Sequence, residues 1–248
     1  MNLQVRQSVP RQSIYGVLID VDNTVYPSST GLEFDAHQPQ GSIVGTIREC
    51  IRVCEESKHG CCTLEWAANI QNGFFKAYGN SYPAIRDNYG WTDEEIAGFV
   101  YHAGHLDYAR LKPCGKTVAQ CAQLAQKRLI AALTNGTRRH GEAVIDIMGL
   151  TNALCFVRGY DDNNYVPKPH SSAFRLMAKA MGLPLENVLY IDDSMSNLTA
   201  AHKLGCGYRV LIRENGDFPP DDGPSDDGVV SLCATHISTA LAAINDQL

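Results

Sequence analysis

The stretch from Ile14 to Thr24, Ile-Tyr-Gly-Val-Leu-Ile-Asp-Val-Asp-Asn-Thr, constrains the fold more than any other part of the chain. Five of the six residues Ile14 to Ile19 are apolar, without alternation, and the run ends on Asp20 and Asp22. A short, unbroken apolar run predicts a strand buried on both faces, as in a parallel sheet. Asp20 then sits at the carboxyl end of that strand, with Asp22 two residues further on in the loop. That is where open α/β sheets place their ligands. Two carboxylates at this spacing reach one phosphate yet can take different roles, one attacking and the other handling the proton of the leaving group. An Asp-x-Asp is also common as a plain solvated strand end, so the weight falls on residues further along the chain.

Further apolar segments recur at Leu129–Leu133, Ala153–Val157, Asn187–Ile191, Tyr208–Ile212 and Val229–Cys233. Helical periodicity lies between them: Val118, Cys121, Ala122 and Ala125; Val144, Ile145 and Met148, stopped by Gly149; a helix opened at Ser171 or Ser172 and stopped by Gly182; Leu198 to Leu204, ended by Gly205; and Ile237, Leu241 and Ile244. Alternating strands and helices predict a parallel sheet with right-handed crossovers. The region from Val25 to Lys112 reads as almost entirely helical. Ile43, Ile47, Ile51 and Cys54 share one face, and Leu64, Ala67, Ile70, Phe74 and Tyr78 another. Thr92 to Glu95 reads as a capping box opening a helix with Ile96, Phe99 and Val100. The stretch Asn215 to Gly228, rich in Asp, Pro and Gly, reads as an acidic loop, most simply a solvated insertion.

Three later pieces join the first: Leu133-Thr134-Asn135-Gly136, Pro167-Lys168-Pro169 and Ile191-Asp192-Asp193-Ser194, with Asn197 beyond. Thr134 is at minimum a cap for the next helix or turn. Functionally, its hydroxyl and the Asn135 amide would hold phosphate oxygens, with Gly136 letting the backbone come close. Lys168 between two prolines has a stiff backbone, suited to a charge that must point at one place, namely Asp20 and the phosphate. Two carboxylates beside a phosphate repel one another, and a hard cation with oxygen ligands must bridge them. His102 and His105 lie three apart with no Cys or carboxylate set around them, so packing is the plainer reading.

With all four motifs the chain resembles the haloacid dehalogenase superfamily of phosphatases, and more narrowly its pyrimidine 5′-nucleotidase branch. The closer likeness rests on Asp22-Asn23-Thr24-Val25-Tyr26-Pro27, Tyr78-Gly79 and Val166-Pro167-Lys168-Pro169-His170. The resemblance implies a Rossmann-like three-layer α/β/α core, residues 1–24 and 113–248, with a helical cap, 25–112, inserted after the first motif. It implies Asp20 as nucleophile, Asp22 as acid and base, and Thr134 and Lys168 as catalytic partners. Thr134, Asn135 and Lys168 would bind phosphate. Mg²⁺ would be held by the Asp20 and Asp193 carboxylates and the Asp22 carbonyl, with Asp192 acting through a water and Asn197 orienting Asp193 or Lys168. The implied substrate is a small phosphomonoester, a nucleoside 5′-monophosphate with pyrimidine preferred. Tyr82 and Arg86, read as lying in a loop-like part of the cap, are the candidates to contact it.

A net charge of −6 argues against a nucleic-acid polymer as partner. Nine cysteines without a Cys-x-x-Cys pair suggest free thiols in a reducing compartment. Met1 to Ser13 is polar and no run has the length of a membrane span. The expectation is a cytoplasmic enzyme, monomer or homodimer. Competing readings are a phosphatase or phosphomutase acting on another small phosphometabolite such as a sugar phosphate, a non-catalytic phosphate-binding scaffold, and a phosphate-acceptor receiver module. A receiver carries its acidic pair ahead of the acceptor Asp, whereas here the pair comes last. A dehalogenase has no need of the acid that Asp22 offers.

Overall fold

The apolar runs become the strands of one sheet. The computed structural model describes residues 2–10, 13–32, 42–78, 81–100, 106–219 and 228–248. The strands are Leu3–Val5 (β1), Gly16–Ile19 (β2), Leu129–Leu133 (β3), Phe156–Arg158 (β4), Val188–Asp192 (β5), Tyr208–Ile212 (β6) and Leu232–Ala234 (β7). The helices are Ser42–His59 (α1), Leu64–Tyr78 (α2), Ser81–Tyr89 (α3), Asp93–Val100 (α4), Gly115–Ala125 (α5), Arg138–Ile147 (α6), Ser171–Met181 (α7), Met195–Lys203 (α8) and Ile237–Asn245 (α9). The chain divides into two compact units, residues 1–30 with 109–248, and residues 31–108.

In the first unit the seven strands run in the order β1-β7-β6-β5-β2-β3-β4. All neighbouring pairs are parallel except β1 with β7, where Leu3 faces Ala234. The expected parallel sheet therefore carries one antiparallel edge strand. Leu3–Val5 is too short to show an apolar period, and it pairs only on one side.

β2 lies at the centre, with Gly16 opposite both Leu129 and Val188. Every residue of β2, β5 and β6 is buried, which is why these strands are apolar apart from Arg209 in β6 and Asp192 at the end of β5. Leu18, Ala131, Leu133, Val188, Tyr190 and Leu211 form one core with Phe174, Met177 and Met181 of α7 and Leu198 and Ala201 of α8. The alternate residues Val17, Ile19, Ile130, Ala132, Leu189, Ile191 and Val210 are equally buried on the opposite face. From β2 the chain steps through β3 to β4, then returns to β5 and steps the other way through β6 to β7. The loops leaving β2 and β5 thus diverge and open a crevice at their carboxyl ends.

Among its described residues the second unit packs α1 to α4 around Ile47, Cys50, Ile51, Ala67, Ile85 and Ile96. Ile70 and Phe74 pack against it as expected, but Leu64, first in α2, is 56% exposed. The capping box forms: Glu95 N–H donates to the Thr92 hydroxyl oxygen (3.1 Å) and Thr92 N–H to the Glu95 carboxylate (2.8 Å). Val25 to Thr30 belong to the first unit, since Val25 and Tyr26 are buried on the turn that leaves β2. Ile43, Tyr78, Gly79, Phe99, Val100, His102, His105 and residues 220–227 of the acidic loop lie outside the described side chains. The nine cysteines are all free thiols. Among the described residues no helix is long and apolar enough to cross a membrane.

Candidate active site

The first motif folds as a tight turn on the end of β2. Asp20 N–H continues the sheet to the Ile191 carbonyl (2.9 Å). Asn23 then takes φ 58°, a left-handed conformation that Asn tolerates better than most residues. The turn closes with Val25 N–H on the Val21 carbonyl (2.9 Å) and brings the Thr24 hydroxyl back to Asp20 Oδ2 (2.9 Å). It also sends the two carboxylates into different surroundings.

Asp20 faces a buried charge cluster. Lys168 Nζ donates to Asp20 Oδ1 (2.5 Å), to the Leu133 carbonyl (2.8 Å) and to Asp192 Oδ2 (3.1 Å), using all three of its protons. Asn135 fixes the lysine from behind. Its side-chain oxygen accepts the Lys168 N–H (2.7 Å) and its amide donates to the Lys168 carbonyl (3.1 Å). The stiff lysine expected from Pro167 and Pro169 is thus pinned by hydrogen bonds as well. Burial alone would lower the Lys168 ammonium, but Asp192 and Asp20 together hold it above its usual range.

Asp192 ends β5 fully buried. Its Oδ1 accepts from Ser194 N–H (2.7 Å), and Asn197 Nδ2 reaches both its oxygens (3.1 and 3.0 Å). Tyr190 OH also donates to Oδ2. Asn197 therefore orients Asp192, not the expected Asp193 or Lys168. Asp193 is partly exposed, and one oxygen from each of Asp20, Asp192 and Asp193 lies within 4.8 Å of the others. Burial, beyond what Lys168 offsets and with the neighbouring carboxylates adding to it, holds Asp20 well above the usual carboxylate range. Burial and the Asp192 charge push Asp193 up to about 6. A cluster of hard oxygens with more negative charge than one lysine balances fits a divalent cation.

Asp22 turns its carboxylate elsewhere. Oδ1 accepts from Tyr26 OH (2.6 Å) and lies 2.8 Å from His140 Nε2, and Oδ2 accepts from the Thr134 hydroxyl (3.0 Å). Burial would raise this carboxyl. The His140 ring and the donors around it outweigh burial and bring it down to about 2. Thr134 is itself fixed by Gly136 N–H (2.8 Å). A Cβ at Gly136 would stand 2.6 Å from His140 Cδ2, so the bare glycine admits the imidazole.

Asp20, Asp22, Thr134, Asn135, Lys168, Asp192 and Asp193 thus converge at the ends of β2, β3 and β5 within the first unit. Tyr82 and Arg86 lie in the second unit on α3, a helix where a loop was expected. Pro83 is tolerated there because first-turn N–H groups have no helical partner. Arg86 is exposed and pairs with Asp87 (3.1 Å) and Asp93 (3.5 Å), while Tyr82 packs on the helical cluster. The sequence reading gave no role in the site to His140 or Tyr190, and quoted Thr24 and Tyr26 only as parts of the first motif. His140 stands three residues after Thr137, whose hydroxyl caps α6 (3.3 Å to His140 N–H). A polar residue in the first turn of a helix that follows a motif loop points back at the strand ends, and that placement was the available signal.

A family model described as haloacid dehalogenase-like hydrolase matches residues 14–205. The chain belongs to that family. It is 24% identical over 156 residues to the enolase-phosphatase E1 of Pectobacterium atrosepticum, spanning 61% of this chain and 52% of that protein. It is 25% identical over 140 residues to the phosphoglycolate phosphatase of Haemophilus influenzae, spanning 52% and 61%. The chain thus spans between about half and three fifths of the length of these curated relatives. Among solved haloacid dehalogenase-like structures, the 2-haloacid dehalogenase of Pseudomonas syringae pv. tomato superposes with a TM-score of 0.56 at 14% identity, covering 95% of this chain and 100% of that one. The L-2-haloacid dehalogenase of Xanthobacter autotrophicus gives 0.54 at 14%, covering 93% and 98%. At these identities the likeness is one of fold.

The raised Asp193 has a consequence for stability. A carboxyl held above its ordinary value favours the neutral form in the folded state. Its contribution is present in acid and is lost as pH rises from 3.8 through about 6. That displacement corresponds to ~3 kcal/mol, of which ~1–2 kcal/mol should survive solvent screening. In chelator at pH 8, Asp193→Asn is expected to raise the unfolding free energy by that amount, read as a higher urea midpoint, with the gain vanishing near pH 4. An unchanged midpoint at pH 8 would show that the cluster carries no such repulsion.

Proposed function

We propose that the chain is a Mg²⁺-dependent phosphomonoesterase that works through an aspartyl-phosphate on Asp20 and prefers pyrimidine nucleoside 5′-monophosphates. The observation that carries the phosphatase reading is the opposite treatment of two carboxylates on one turn. Asp20 lies against Lys168 and the acidic cluster, where an attacking oxygen needs its charge balanced. Asp22 is held by His140, Tyr26 and Thr134, where a proton carrier needs to be oriented.

Asp20 attacks phosphorus, and the bond to the leaving oxygen breaks as the new P–O bond forms. Lys168 offsets charge on the transferring group. A phosphate dianion arriving beside Asp22 raises that carboxyl by like-charge repulsion and competes for the Thr134 hydroxyl. Asp22 then protonates the departing alkoxide, and later takes a proton from the water that cleaves the aspartyl-phosphate. Mg²⁺, held by the Asp20 and Asp193 side chains, would neutralise the phosphate beside these carboxylates.

The nucleotide preference is supported by the likeness of Asp22-Asn23-Thr24-Val25-Tyr26-Pro27 and Val166-Pro167-Lys168-Pro169-His170 to the pyrimidine 5′-nucleotidase branch. The second reading, a phosphatase of another small metabolite, is favoured by relatives named enolase-phosphatase and phosphoglycolate phosphatase. A panel of nucleotides and sugar phosphates, assayed with and without chelator, separates them. The expected result is a kcat/KM for UMP or CMP tenfold to a hundredfold above AMP, roughly 1–3 kcal/mol. Arg86→Ala is expected to collapse that ratio while sparing 4-nitrophenyl phosphate. Equal turnover of purine and pyrimidine nucleotides defeats the preference alone. Undiminished activity in excess chelator defeats the metal.

A further inference from the structure

The two oxygens of Asp22 are held differently. Oδ1 takes the Tyr26 hydroxyl at 2.6 Å and His140 Nε2 at 2.8 Å, while Oδ2 takes the Thr134 hydroxyl at 3.0 Å. Tyr26 and His140 are 1% and 5% exposed, so neither donor swings away to water. The rest of His140 is held as well: its backbone N–H donates to the Thr137 hydroxyl, and the Cδ2 edge of its ring fills the space that a side chain at Gly136 would take. Thr134 is equally buried and its oxygen accepts the Gly136 N–H (2.8 Å), but it sits on the loop expected to hold phosphate, and rotation about its C–O bond redirects its proton without moving that oxygen.

We infer that His140 and Tyr26 are the positioning pair of the proton carrier. They clamp Oδ1 and leave Oδ2 as the working oxygen, released when Thr134 turns to the phosphate. This inference rests on the reading of Asp22 as acid. In that step the O–H bond on Asp22 Oδ2 breaks and its proton goes to the leaving alkoxide. The alkoxide keeps the electron pair of the broken P–O bond, and Asp22 is left as carboxylate. His140 and Tyr26 exchange no proton. They fix the direction in which Oδ2 points.

The test compares leaving groups. In 4-nitrophenyl phosphate the phenolate departs without a proton, whereas uridine 5′-monophosphate and ribose 5-phosphate release an alkoxide that needs one. His140→Ala and Tyr26→Phe should lower kcat for the alkyl phosphates about 10- to 100-fold, with KM moved less than about threefold, and lower kcat for the aryl phosphate less than about threefold. His140→Gln, whose amide Nε2 can still donate to Oδ1, should restore the alkyl-to-aryl ratio to within about threefold of the unmodified enzyme. The ratio is read on one preparation, so a reduced folded fraction cancels from it. Equal loss on both classes in His140→Ala would mean a packing role and overturn the inference. Asp22→Asn is the control for the underlying reading. If it shows a strong leaving-group bias and His140→Ala none, only the positioning pair fails. If Asp22→Asn itself shows none, the assignment of Asp22 as acid fails.

Discussion

Replacing Asp20 by Asn is expected to abolish turnover while leaving the fold as stable as before, or more so. The amide cannot form the acyl-phosphate bond, and a fall in kcat of at least ~10⁴-fold, ~5.5 kcal/mol of barrier, should result on both aryl and alkyl phosphates. Stability moves the other way because burial already disfavours the charged form of this carboxyl. An amide has the shape of the neutral acid and carries no charge to repel Asp192 and Asp193. Lys168 keeps Asp192 and the Leu133 carbonyl as partners. Kinetics on 4-nitrophenyl phosphate with Mg²⁺ and a urea titration in chelator test the two halves separately. Activity within tenfold of the unmodified enzyme would remove Asp20 as nucleophile.

The mirror substitution, Lys168→Met, is expected to be the most damaging to the fold. One lysine serves two buried carboxylates, so losing a carboxylate leaves a matched pair and losing the lysine leaves two uncompensated acids. Breaking a buried pair from one side costs about 3–5 kcal/mol. The loss should depend on pH. Without the lysine, Asp20 is raised further, and a raised carboxyl contributes stability that is present in acid and lost as pH climbs through its folded value. The destabilisation in chelator should therefore be largest at pH 8 and shrink toward pH 5. A pH-independent deficit would point to lost packing instead of lost charge balance.

How much of the molecule was legible depends on the job each residue does. The strands Leu129–Leu133 and Tyr208–Ile212 were readable to the residue, because burial on both faces leaves mainly apolar side chains, with Arg209 satisfied by three backbone carbonyls. Ala153–Val157 and Val229–Cys233 were placed too early by one to three residues relative to Phe156–Arg158 and Leu232–Ala234, since a short apolar run does not say where pairing starts. The motif residues were legible because their chemistry is in the side chain itself. The residues that orient them were not. His140, Tyr26, Tyr190 and Thr24 act on a partner that the fold brings near, and nothing in their own neighbourhood of sequence marks the partner. Arg86 shows the converse. Its charge suggested a ligand contact, yet the fold offers it Asp87 and Asp93. Exposed pairs of that kind are worth ~1 kcal/mol or less and leave the side chain available.

The pairing of Leu3 with Ala234 bears on how the molecule is made. Of the described strands, the most amino-terminal pairs with the most carboxy-terminal. β2, which carries Asp20, gains its second neighbour only when Val188–Asp192 has been synthesised. At ribosomal rates of about 5–20 residues per second, the amino-terminal strand waits on the order of tens of seconds for its partner. The nascent chain spends that time with open strand edges and cannot complete its sheet from the front. Such long-range closure favours slow folding and a window for chaperone binding. A fragment ending before Asp192 would hold Asp20, Asp22 and Lys168, the proposed nucleophile, proton carrier and counter-charge, but not the Asp192 and Asp193 side of the acidic cluster.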